Sequence, residues 1–100
     1  MKQASAALEA WLDKCHAVAR EHGFPGPSAF RGMRTRYGTL LAAKKLVEDG
    51  TIQSGLEWCR DQGILDYSVE AAVIRFAEEF DPATVACARW RLKMVKAEAR

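Results

Sequence analysis

The chain holds only three prolines and seven glycines in 100 residues, too few for a disordered, collagen-like or linker-dominated polypeptide. Its three cysteines, Cys15, Cys59 and Cys87, are an odd number, far apart and without a CxxC pair. That spacing argues against a disulfide framework and for reduced thiols in a cytoplasmic protein. No window approaches the ~20 consecutive apolar residues that span a bilayer. Near the start, Glu9 interrupts the apolar run that a secretory signal would need. The expectation is a soluble, cytoplasmic protein with no membrane partner. A net charge of +2 is too mild to imply nucleic-acid binding by itself. There is no G-x-G-x-x-G and no G-x-x-x-x-G-K-[ST], so phosphate cradling is unsupported. No segment alternates apolar and polar residues as a half-buried strand does.

What is present suits one soluble globular core: 49% hydrophobic and 28% charged residues. Residues 1–100 read as a single helical domain, because two domains would each fall near the size that requires disulfides or metals. A domain of this size hides roughly two-thirds of its unfolded surface, enough for marginal stability but not for a deep catalytic cavity.

Every long segment has helical period. Leu8, Trp11, Leu12, Cys15, Val18 and Ala19 recur at three- and four-residue steps and predict an amphipathic helix from about Ser5 to His22. Gly23 ends it, and Phe24-Pro25-Gly26-Pro27 makes a stiff corner. Ser28 caps a second helix bearing Phe30, Met33 and Tyr37. Thr39 is placed to cap a third, running to about Asp49, with Leu40, Leu41, Ala43, Leu46 and Val47 mainly buried and Gly50 closing it. A fourth starts near Ser54, presents Leu56, Trp58 and Cys59, and stops at Gly63, where Ile64 and Leu65 fold back. Asp66 or Ser68 caps a fifth with Val69, Ala72, Val73 and Phe76. Phe80-Asp81-Pro82 opens the sixth, an N-cap acid before proline with Phe80 stapled onto Val85; this helix carries Val85, Ala88, Leu92 and Val95, then frays through Lys96–Arg100. The fold class is all-α, a compact bundle of five or six short helices, with Trp11, Phe30, Trp58, Phe76 and Trp90 as its large core pieces.

Catalytic equipment is sparse. His16 and His22 project from different faces of one helix, and with Cys15, Cys59 or Cys87 they lack the close ligand spacing of structural zinc sites. Cys15 and His16 are adjacent and diverge, so a Cys–His nucleophile has no geometry. The carboxylate pairs Glu48-Asp49 and Glu78-Glu79 read as solvated helix ends rather than an acid–base pair. The chain is expected to be noncatalytic, with no metal and no cofactor.

Charge is segregated along the sequence. Gly23 to Val47 carries Arg31, Arg34, Arg36, Lys44 and Lys45 and no acid; Glu48 to Asp81 carries nine acids against Arg60 and Arg75; Pro82 onward carries Arg89, Arg91, Lys93, Lys96 and Arg100 against Glu98. One consequence is internal: acidic helices packed between basic ones relieve repulsion. The other is a binding face of one sign. An acidic face of Glu70, Glu78 and Glu79 would imitate a phosphate surface and enter a partner's basic groove. Alternatively Arg31, Arg34, Arg36, Lys44 and Lys45, with the basic C-terminal segment, would contact nucleic acid, Met33 and Tyr37 supplying apolar and stacking surface. The segment from Thr39 to Leu46 is too apolar for a recognition helix.

From Tyr37 to Met94 the chain resembles a small helical region found at the ends of uncharacterised bacterial proteins. The residues that carry the likeness are Gly38-Thr39, Ala42-Ala43-Lys44-Lys45-Leu46, Ser54-Gly55, Gly63-Ile64-Leu65-Asp66-Tyr67-Ser68-Val69-Glu70 and Ala88-Arg89-Trp90-Arg91-Leu92. The resemblance implies the helical fold and a bacterial or phage setting. In format, as a small single domain without catalytic equipment, the chain also looks like phage inhibitors of the anti-CRISPR type. The functional expectation is a noncatalytic protein-binding module that inhibits a larger assembly, such as a nucleic-acid-binding one, by occupying its surface. The alternative is a small nucleic-acid-binding accessory protein.

Overall fold

Helix α1 (Ala6–Glu21) buries Leu8, Leu12 and Cys15 on one side of the computed structural model, which describes residues 3–24, 28–49 and 54–98. Ser5 is its N-cap, the hydroxyl accepting the Leu8 N–H at 3.1 Å. The same hydroxyl donates to Glu79 Oε2 at 2.6 Å, and the Ser5 N–H donates to Glu79 Oε1 at 2.8 Å. An acid 74 residues away thus completes the cap and sits where the helix dipole favours negative charge.

Ser28 caps α2 (Ala29–Tyr37), accepting from the Arg31 N–H at 3.4 Å. Only Gly38 separates α2 from α3 (Thr39–Glu48). Its φ of +83° lies in the left-handed region that glycine enters without a Cβ clash, and its N–H bonds the Arg34 carbonyl at 2.9 Å. This tight joint draws Thr39 into the helix. Gly38 takes the N-cap position expected of Thr39, and the Thr39 hydroxyl donates instead to Glu9 Oε1 at 2.6 Å.

α4 (Ser54–Asp61) ends at Gly63, φ +73°, after which the Ile64 N–H returns to the Cys59 carbonyl at 2.9 Å and Ile64 is buried. A 3₁₀ turn, Leu65–Tyr67, leads into α5 (Val69–Arg75). Of the two caps the sequence allows, Ser68 is used: it accepts the Ala71 N–H at 3.1 Å and donates to the Leu65 carbonyl at 2.7 Å. Asp66 remains exposed. A second 3₁₀ turn, Ala77–Glu79, precedes α6 (Pro82–Ala97). Asp81 holds the N-cap conformation before Pro82, but its carboxylate makes no capping bond and lies 3.5 Å from Lys44 Nζ. No strand occurs among the described residues. The expected Phe24–Pro27 corner and the closure by Gly50 fall on residues 25–27 and 50, outside the described residues.

α3 is central, packing against α2, α5 and α6, while α1 lies on α5 and its preceding 3₁₀ turn and α4 lies on α6. The core joins Leu8, Leu12, Phe30, Val47 and Val73 with Ala42, Ala43, Ala72 and Ala88. The alanines bring α3, α5 and α6 close together, since side-chain size at the contact sets interaxial distance. The Cα radius of gyration, 12.6 Å, is near the ~13 Å of a compact 100-residue domain.

Two sequence expectations for the core are corrected. Leu41 is 43% exposed and Trp90 52% exposed. In α6 the inward positions belong to Thr84, Ala88, Arg91 and Val95, one residue out of register with Trp90. Trp11, Trp58 and Phe76 are half-buried, which leaves Phe30 as the fully buried aromatic.

Candidate functional site

The structure does not assemble the acidic face. Glu70 is 3% exposed, its Oε2 accepting from Arg91 Nε at 2.9 Å. Arg91 Nη1 also donates to the Asp49 carbonyl at 2.9 Å, so one guanidinium ties α5 and α6 to the end of α3. A carboxylate enclosed this way cannot present itself to a partner. Glu79 is committed to Ser5, and Glu78 alone of the three is solvent-exposed. Glu48 accepts from the buried Thr84 hydroxyl and from Lys44 Nζ at 2.9 Å. Both bonds favour its charged form, Thr84 most, and lower its pKa.

The basic segment is likewise divided. Arg34 reaches Glu9 at 2.6 Å and Asp13 at 3.1 Å, pinning α2 to α1. Lys44 pairs with Glu48 and Asp81. Arg31, Arg36 and Lys45 stay exposed. The Arg36 guanidinium and the Lys45 ammonium lie 5.9 and 4.9 Å from the Tyr37 ring centroid, and Tyr37 is 41% exposed. Much of the segregated charge is therefore cancelled between helices distant in sequence.

Arg75 shows a role the sequence did not reveal. Its guanidinium lies 4.0 Å from the Trp11 ring centroid, and Tyr67 stacks on the same indole at 5.4 Å and 21°. This group joins α1 to α5 and to the turn before it.

A partly open cavity of about 630 Å³ lies between α1, α2, α4 and α5, where a domain this small was expected to have no deep cavity. Leu12, Cys15, Phe30 and Leu56 form its buried floor, and the exposed Arg20 and Arg31 stand at its rim. Burial pushes the Cys15 and Cys59 thiols in its lining up to about 11, so both are protonated and poor nucleophiles at neutral pH. His16, also in the lining, is held below its ordinary value by burial first and then by Arg34 and Arg31. Among the described residues no three His, Cys, Asp or Glu side chains converge as a metal site would require.

The outer flank of α6 is the second feature. Ala83, Ala86, Trp90 and Met94 are exposed and recur at three- and four-residue steps, so they share one side of the helix, while the half-buried Cys87 at its edge packs against the core. Trp90 is 52% and Met94 37% exposed, among the most exposed large apolar side chains described. Arg89, Lys93 and Lys96 are exposed around them, and none is in an ion pair among the described residues. The adjoining Arg91 is buried, and Arg100 lies outside the described residues. α6 therefore has two apolar sides, one spent on the core and one facing solvent. Helical period alone puts Ala88 and Val95 on the inward stripe, where they lie, but leaves the depth of Trp90 to packing.

Comparison with known protein families, curated proteins and solved structures gives no match. The fold is a small all-α bundle whose α6, among the described residues, leaves a basic-rimmed apolar flank open to solvent. Among the described residues no helix is long and apolar enough to cross a membrane.

Proposed function

We propose that the chain is a noncatalytic protein-binding module that engages its partner through the outer flank of α6. The observation that carries this reading is Trp90, 52% exposed with Met94 beside it one helical turn on. Interface anchors are typically aromatic residues and arginines, and solvent exposure of a tryptophan is otherwise unfavourable. Arg89, Lys93 and Lys96 around it, in no ion pair among the described residues, select the occupant: an apolar helical segment bordered by Asp or Glu. They also disfavour a second copy of α6, which would bring like charges together. The module acts by occupying a surface of a larger assembly, as an inhibitor does, since no group of reactive side chains accompanies the contact.

Paired affinity captures test this reading, using the wild-type chain and a Trp90→Ala/Met94→Ala variant on bacterial lysate with and without nuclease treatment. The expected result is a partner retained by the wild type and lost by a variant whose melting is unchanged. Recovery that is equal for both refutes the α6 surface. Recovery that disappears with nuclease favours the second reading, nucleic-acid contact, for which the exposed Tyr37 between Arg36 and Lys45 speaks.

A further inference from the structure

The partly open cavity, which is independent of the α6 flank, combines an apolar floor with a cationic rim. Its volume of about 630 Å³ falls in the range of ~300–1,000 Å³ that holds small molecules in proteins. The floor is buried: Leu12 is 1%, Leu56 3% and Phe30 5% exposed. The Cys15 and Cys59 thiols add no charge there, since both remain protonated. Among the described residues Glu70 is the sole carboxylate in the lining, and it is held by Arg91 at 2.9 Å. At the rim, Arg20 and Arg31 are exposed, and neither guanidinium is in an ion pair among the described residues.

We propose that this cavity binds an amphiphilic carboxylate, with its apolar body on the floor of Leu12, Phe30 and Leu56 and its carboxylate between Arg20 and Arg31. A wholly polar ligand would leave the floor's apolar surface wet, and a cationic one would meet two guanidiniums. A neutral apolar ligand would leave unused the planar donor pairs that match a carboxylate.

The test titrates the full chain with dodecanoate, 1-dodecanol and dodecyltrimethylammonium, each below its aggregation threshold, followed by two-dimensional NMR and calorimetry. Dodecanoate should bind saturably, one per chain, and shift the resonances of Leu12, Phe30 and Leu56. An Arg20→Gln/Arg31→Gln variant, both sites being exposed and expected to fold normally, should bind dodecanoate roughly a hundredfold more weakly, about one decade of Kd for each of the two lost charged contacts. It should bind dodecanol as the wild type does. Equal affinity of the wild type for all three probes would overturn the assignment of the carboxylate. Shifts centred on Trp90 and Met94, or no saturable binding, would overturn the site itself.

Discussion

The bond between Glu70 and Arg91 offers the sharpest test of how this chain holds together. At 2.9 Å, with side chains 4% and 1% exposed, the pair gains on the order of 5–6 kcal/mol of Coulomb energy at an effective dielectric of ~20. Desolvation of both groups offsets most of that, so the intact pair is worth far less than its gross attraction. Breaking it is a different matter. Glu70→Leu or Arg91→Met removes one half of this enclosed pair, and each should cost about 3–5 kcal/mol. Against a typical total of ~5–15 kcal/mol, that lowers the melting temperature by on the order of 15 °C or more. Arg91→Met should be the worse of the two, because it also strips the Asp49 carbonyl at the end of α3 of a donor at 2.9 Å. Replacing both partners, as Glu70→Leu with Arg91→Met, should recover a large part of the loss. Urea unfolding followed by circular dichroism on the wild type, both singles and the double gives the cycle, with an expected coupling of about 2 kcal/mol or more. Additive single effects, or singles costing under about 1 kcal/mol, would refute the reasoning and return Glu70 to the surface.

Ser68→Ala removes the α5 cap that accepts from Ala71 and should cost about 1 kcal/mol by the same unfolding assay. His16 is held neutral by burial, then by Arg34 and Arg31 against the opposing pull of Asp13. Its folded pKa lies below 6.5, so between the two values the unfolded chain binds more protons and stability must fall as pH drops below about 6.5. His16→Gln should flatten that part of the stability profile, and an unchanged profile would contradict the assignment. Cys15 and Cys59, with thiols near 11, should resist iodoacetamide at pH 7.5 until urea unfolds the chain, as mass spectrometry of the alkylated sites would register.

Local signals in the sequence were enough for the elements, because caps and stops act within one helical turn. Ser5, Ser28, Ser68 and Gly63 each specify a helix boundary through bonds to residues three positions away. The all-α class follows from these caps and from the uninterrupted helical period. Which side of each helix faces the core was legible where one apolar stripe stands alone, as in α1. In α6 the helical period singled out Ala88 and Val95, which are buried, but it did not show that Trp90 stays outside; contact with α5 and α3 decides that. Charge was the least legible property. The sequence shows acids and bases segregated in blocks, but whether a given carboxylate meets water or a guanidinium depends on contacts across separations of tens of residues. Glu70 to Arg91 spans 21 positions, Arg34 to Glu9 spans 25, and Ser5 to Glu79 spans 74. Helix formation is a property of neighbouring residues and is written locally. The choice of which charges cancel and which apolar stripe stays wet belongs to packing, because it is settled only when several helices compete for the same side of one another.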